Sequence, residues 1–170
     1  DYSFGLAFDT SGNLFVGNAS LGSIVKFTSG SPSTFASGLN SPFGLAFDRS
    51  GDLFVAGVSS GIYEFVNTGT LSSTPIAFDS SLGYVNSLAF DGNGDLFATK
   101  YDNSLNTSSI LEFNNTGTLS STPTTFASGL GGKASLAFEP TATPEPSSFV
   151  LTGSGILALL TVRKFRRHTA

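Results

Sequence analysis

The sequence has no cysteine and no methionine, a single histidine and few charges. Without cysteine there is neither a disulfide framework nor a thiolate metal site. The one imidazole, His168, stands in the tail, so residues 1–140 hold no Ser-His-Asp machinery and no histidine for zinc. With no methionine, residue 1 is not an initiator, and the chain is expected to be a piece of a longer one. Charged residues make up 12% of the chain, against 17 Phe and 20 Gly. That scarcity disfavours helices, whose exposed faces usually carry Glu and Lys, and favours short strands joined by tight turns.

The few charges are unevenly placed. All twelve acids precede residue 147, where only Lys26, Arg49, Lys100 and Lys133 oppose them. The last eight residues carry Arg163, Lys164, Arg166 and Arg167 and no acid. An acidic body excludes nucleic acid as its partner, because phosphate binding needs a basic face.

What is abundant is one phrase. FGLAFDTSGNLFV at 4–16 returns as FGLAFDRSGDLFV at 43–55 and as SLAFDGNGDLFA at 87–98, and SLAFE at 135–139 begins a fourth copy. Measured on Ala7, Ala46, Ala89 and Ala137, the intervals are 39, 43 and 48 residues, the period of four-stranded propeller blades. Four short runs recur in each interval. In the second interval they are 44–48, 52–55, 61–65 and 75–78. Alternation sets Ile62 and Glu64 against Tyr63 and Phe65 across the third run. Each turn between the first two runs reads Asp-x-x-Gly-Asn/Asp, which predicts a left-handed Gly12, Gly51 and Gly94 and an Asp bonding its own turn. Phe4, Phe8, Phe43, Phe47, Phe90 and Phe138 are expected to form blade-to-blade core. A nine-residue outer loop at 67–75 is repeated unchanged at 115–123, which reads as duplication rather than as a site.

The Pro-x-Gly-(apolar)-Ala-(apolar)-Asp phrase, carried by residues 42–55, resembles the NHL repeat. The resemblance covers residues 1–140 and implies a β-propeller. The chain departs from that pattern at Gly17, Ala56 and Thr99, where an Asp often follows the second strand, and at Val85 and Asn86, where the proline is missing. Three blades and one strand do not close a ring of four to eight.

Beyond this body the composition changes. Residues 141–147 form a proline-rich linker, 148–162 carry no charge, and a basic tail occupies 163–167. As a helix, 148–162 would reach about 22 Å, short of the roughly 30 Å hydrocarbon core but long enough to span if basic side chains snorkel. Arg163, Lys164, Arg166 and Arg167 would keep that end cytoplasmic and place the body outside. Pro144, Glu145 and Pro146, followed by this helix and basic cluster at 144–170, resemble the PEP-CTERM sorting signal. The resemblance implies an exported bacterial protein, anchored in the inner membrane until an exosortase-type enzyme processes it.

For chemistry, Asp91–Asp102 begins like a calcium loop, but Leu96 stands where such a loop needs glycine, so a structural turn is expected. Lactone-hydrolysing propellers of the gluconolactonase type hold a metal at the axis with Glu, Asn and Asp. Candidates here are Asn40, Asn86, Glu64 and Glu112, although the two Glu fall on the third, outer run. The expected fold is therefore all-β: a partial propeller of about three four-stranded blades plus one strand, then one short transmembrane helix. The expected function is non-catalytic, without cofactor: a surface or matrix protein whose propeller binds a polysaccharide or protein ligand. The alternative is a secreted metal-dependent lactonase or lyase with further ligands in other blades.

Overall fold

The computed structural model describes residues 3–138, and every regular element among them is a β-strand. Twelve strands form three antiparallel four-stranded sheets, each a meander in chain order. The first blade comprises β1 (Ser3–Phe8), β2 (Leu14–Asn18), β3 (Ser23–Thr28) and β4 (Ser31–Ala36). The second comprises β5 (Pro42–Phe47), β6 (Leu53–Gly57), β7 (Gly61–Phe65) and β8 (Ile76–Asp79). The third comprises β9 (Val85–Phe90), β10 (Leu96–Asp102), β11 (Thr107–Phe113) and β12 (Thr124–Gly131). The first strands of the blades, β1, β5 and β9, pack against one another in that order. This is a partial propeller, as the repeats predict.

Two-residue periodicity explains how a strand of five residues builds both faces of a blade. Along β6, Leu53 and Val55 belong to the core shared with the first blade, and Phe54 and Ala56 to the core shared with the third. The strand is therefore buried on both sides throughout. Ile62 faces the third blade while Tyr63 and Phe65 face the first, as the alternation in that run predicts.

One aromatic arrangement repeats on all three blades. Phe15 meets Phe35 of its own fourth strand and Phe47 of the next blade, each with ring centroids 5.1 Å apart. Phe54 meets Phe78 and Phe90 in the same way, at 5.2 and 5.3 Å. Phe97 meets Phe126 and Phe138, at 5.4 and 5.0 Å. Of the expected core phenylalanines, Phe47 and Phe90 thus sit between blades, whereas Phe138, 41% exposed, packs on Phe97 from the irregular segment. Phe8 does not sit between blades: it is 66% exposed, because among the described residues no blade covers that face of β1. Phe43 stacks on Tyr84 beside a cavity instead.

The tight turns are as the sequence predicts. Gly12, Gly51 and Gly94 have φ of 80°, 84° and 93°, and Asp9, Asp48 and Asp91 each accept backbone N–H bonds from within their own turn. The repeated outer loop has a structural cause that the sequence reading missed. The Asn67 backbone N–H donates to the Asp52 carboxylate, its side-chain amide donates to the Ser50 carbonyl, and its oxygen accepts from Gly69 N. Asn115 repeats the three bonds with Asp95, Gly94 and Gly117. The loop locks the turn, and the first blade, which lacks the loop, carries Asn13 in place of that Asp.

The fourth copy departs from the strand expected there. Residues 133–138 are irregular, yet they are docked: Leu136 N donates to Ser87 Oγ at 3.2 Å and Thr99 Oγ1 to the Ala134 carbonyl at 3.1 Å. A first strand needs a second to complete its ladder, and the phrase stops before that run. The linker at 141–147, the helix at 148–162 and the basic tail at 163–167 lie outside the described residues.

Candidate functional site

The innermost strands approach so closely that their residue types are dictated by space. A Cβ on Gly44 would lie 2.9 Å from both Leu88 N and Ser87 Cα, and one on Gly5 would run into the Phe43 carbonyl oxygen. Where the third blade has Ser87 instead of glycine, the hydroxyl is used to hold the next segment. Around these strands lies a cavity of about 430 Å³, lined by residues of β1, β5, β9 and 133–136. It is on the axial side of the blades, where a propeller gathers one strand from each.

Two polar side chains distinguish this cavity. Asn86, on β9, occupies the register that Phe4 and Phe43 hold in the first two blades. Its amide nitrogen is buried and has no hydrogen-bond partner. Leaving such a donor unpaired costs about 1–3 kcal/mol, so it calls for a partner, whether water or ligand. Lys133 is the one charged residue of the lining; its ammonium donates to the Tyr84 hydroxyl at 2.7 Å.

The other candidates are not brought to this place. Asn40 lies in the loop before β5, where its carbonyl accepts from Val58 N at 3.1 Å. Glu64 and Glu112 are on β7 and β11, the third strands, as the repeats predict. Glu64 instead faces the turn acids of its own blade. Burial, then the charges of Asp52 and Asp48, raise its carboxyl above the ordinary value. Asp48 is also raised, by burial and by Asp52, over the opposing turn hydrogen bonds. In the first blade the same turn shifts the other way. Burial would raise Asp9, but bonds from Asn13 and Ser11 and the nearby Lys26 together hold it below its usual range. Asp102 is lowered by the Ser104 hydroxyl and by backbone bonds at Ser104 and Leu105, so its carboxylate serves a local turn. The sorting motif Pro144, Glu145 and Pro146 and the cluster Arg163, Lys164, Arg166 and Arg167 lie outside the described residues.

A metal of the kind the lactonase alternative calls for needs a set of oxygen ligands, six to eight for calcium. Among the described residues no three His, Cys, Asp or Glu side chains assemble such a set. The lining offers the Asn86 amide and the hydroxyls of Ser87 and Ser135, with no carboxylate. These residues alone do not make up a metal site, and no step is derived through one.

No family model matches the chain, and no curated protein matches it. Solved structures do. A gluconolactonase from Xanthomonas campestris aligns with a TM-score of 0.60 at 14% identity, over 74% of this chain and 47% of its own. A putative gluconolactonase aligns at 0.53 and 17%, over 67% and 44%. A streptogramin B lyase aligns at 0.51 and 19%, over 67% and 38%. The chain therefore spans less than half the length of each. The expectation of a non-catalytic chain is corrected by these findings. It rested on the missing Ser-His-Asp machinery, but the fold is one on which lactonases and lyases are built, so that absence is no argument against catalysis. The architecture these structures share with residues 3–138 is that of the β-propeller.

Proposed function

We propose that the chain supplies three blades of a propeller enzyme of the lactonase or lyase type, with the cavity beside β1, β5 and β9 as part of its active site. The observation that carries this reading is the Asn86 amide, buried and unpartnered on the innermost strand of the cavity wall. A buried N–H donor without a protein partner is suited to a carbonyl oxygen that gains charge during reaction. In lactone hydrolysis water adds to the carbonyl carbon, and the oxygen that becomes negative accepts from Asn86. The ring C–O bond then breaks, and the proton lost by water ends on the departing ring oxygen, leaving a hydroxy acid. Lys133, the charged residue of the lining, favours the carboxylate product. Ligands for any metal would come from blades beyond these residues.

The test compares the intact protein with its Asn86→Ala variant on a panel of small lactones, with and without added calcium. Removing one such donor is expected to lower kcat about 100-fold, with a Tm equal to or above that of the wild type, because an unsatisfied buried group has been removed. Unchanged turnover in a folded variant, or no lactone hydrolysed by the wild type, would sink the reading.

A second reading concerns cellular address and rests on residues 144–170. The order of Pro144, Glu145, Pro146, uncharged stretch and basic cluster supports export followed by processing by an exosortase-type enzyme. Replacing the three residues by alanine in the native host is expected to leave unprocessed protein in the inner membrane. Processing at the wild-type rate would overturn it.

A further inference from the structure

Lys133 is held in an unusual way for an exposed lysine. Its ammonium lies 4.8 Å from the ring centroid of Tyr84, 5.6 Å from that of Tyr101 and 5.9 Å from that of Phe43. The rings come from the start of β5, the residue before β9 and the end of β10. They support one another, with Phe43 and Tyr84 centroids 5.6 Å apart and those of Tyr84 and Tyr101 also 5.6 Å apart. Backbone bonds fix the frame. Tyr101 N donates to the Tyr84 carbonyl at 2.9 Å, and Tyr101 Oη donates to Asn106 Oδ1 at 2.8 Å. The backbone flanking Lys133 is also tied, through Gly132 N to the Asn106 carbonyl at 2.9 Å and through Thr99 Oγ1 to Ala134.

We propose that Phe43, Tyr84 and Tyr101 form a binding cage for an organic ammonium ion that retains an N–H, and that Lys133 is its internal occupant. Three π faces directed at one point attract a cation whatever chain carries it. The cage also contains one acceptor, the Tyr84 hydroxyl oxygen, which accepts a hydrogen bond from the Lys133 ammonium at 2.7 Å. A quaternary cation fills the rings but leaves this bond unmade. A protonated amine makes both interactions, which is why the N–H belongs to the recognised class. Phe43 and Lys133 line the axial cavity as well, so an ammonium bound in the cage sits at the cavity's rim. The inference does not depend on the lactonase reading.

Binding is read by calorimetric titration, because only Tyr84 and Tyr101 of the four tyrosines in this sequence belong to the cage. The intact protein is titrated with trimethylammonium chloride, which has one N–H, and with tetramethylammonium chloride, which has none, at constant ionic strength. Lys133 competes from within at the high effective concentration of a tethered group. Lys133→Ala is therefore expected to bind trimethylammonium about tenfold tighter than the wild type. It should also prefer trimethylammonium to tetramethylammonium by about fivefold, the scale of one net hydrogen bond. Adding Tyr84→Phe should erase that preference and leave tetramethylammonium binding unchanged. Lys133→Gln carries the same test if the alanine variant does not fold. Absence of saturable binding in a folded Lys133 variant overturns the cage, and so does equal affinity for the two cations.

Discussion

Phe54→Ala is expected to cost the folded chain about 3–5 kcal/mol, the range for deleting a fully buried aromatic side chain. Phe54 is 2% exposed. It joins Phe78 of its own blade to Phe90 of the next, with interplanar angles of 87° and 71°. Such edge-to-face pairs add about 0.5–1.5 kcal/mol each beyond the area they bury. The loss would fall on the contact between the second and third blades, because Ala56, Leu88, Leu96 and Phe113 share that core. The control is Phe126→Ala, on the fourth strand of the next blade, where it is the counterpart of Phe78. Phe126 contacts Phe97 but is 63% exposed, so its removal should cost less than about 1 kcal/mol. Urea denaturation of both variants, with equal m-values, would measure the difference. Equal costs would mean that blade-to-blade packing is not what holds this arc together.

The strands were readable because the same constraint is written three times. Each blade must present Leu to the blade behind and Phe to the blade ahead, so the Leu-Phe pair of the second strand recurs at 14–15, 53–54 and 96–97. A face that no blade covers breaks the rule without altering the letters. Leu53 and Leu96 are fully buried and Leu14 is half-buried, although the three phrases read alike. Exposure at Phe8 and irregular backbone at 133–138 escaped the sequence reading for the same reason. Both depend on neighbouring strands, and a phrase does not record whether its neighbours are there.

The site was less legible than the fold, and Asn86 shows why. Four residues were candidates for an axial ligand, chosen by residue type alone. Asn40 is in a loop, and Glu64 and Glu112 are on third strands. Asn86 alone is set at the cavity with an orphaned amide. The signal that singles it out was present in the alignment of the copies. At the register of Phe4 and Phe43, where the first two copies have an aromatic residue, the third copy has a polar side chain. A local break in an otherwise consistent pattern is where function is to be sought. The aromatic cage left no such mark, because Phe43, Tyr84, Tyr101 and Lys133 come from four separate stretches of chain and only the fold collects them.

Gly44→Ala is expected to destabilise the chain by about 3 kcal/mol, the upper end for overpacking, although the change adds a single methyl group. The atoms that its Cβ would meet are all backbone: Leu88 N and Ser87 Cα at 2.9 Å and the Asn86 carbonyl oxygen at 3.1 Å. A flexible side chain would turn aside, but β9 has to move as a body, and it carries Asn86 and Ser87 with it. Two readings of this glycine are separable. If only backbone freedom matters, Gly12→Ala should be the costlier change, since Gly12 has φ of 80° and Gly44 has no positive φ. Nothing lies within 4 Å of a Cβ at Gly12, so its cost is the left-handed conformation alone, about 1–2 kcal/mol. The close approach of β5 to β9 predicts the reverse order. It also predicts that Gly44→Ala disturbs the cage, because Phe43 precedes the altered residue and Tyr84 precedes the displaced strand. Denaturation midpoints give the order of the two costs. In the Lys133→Ala background, Gly44→Ala should weaken trimethylammonium binding, whereas Gly12→Ala should leave it unchanged. A Gly44→Ala variant as stable as the wild type would show that the inner strands part without penalty, and the steric account of the axial phrase would fall.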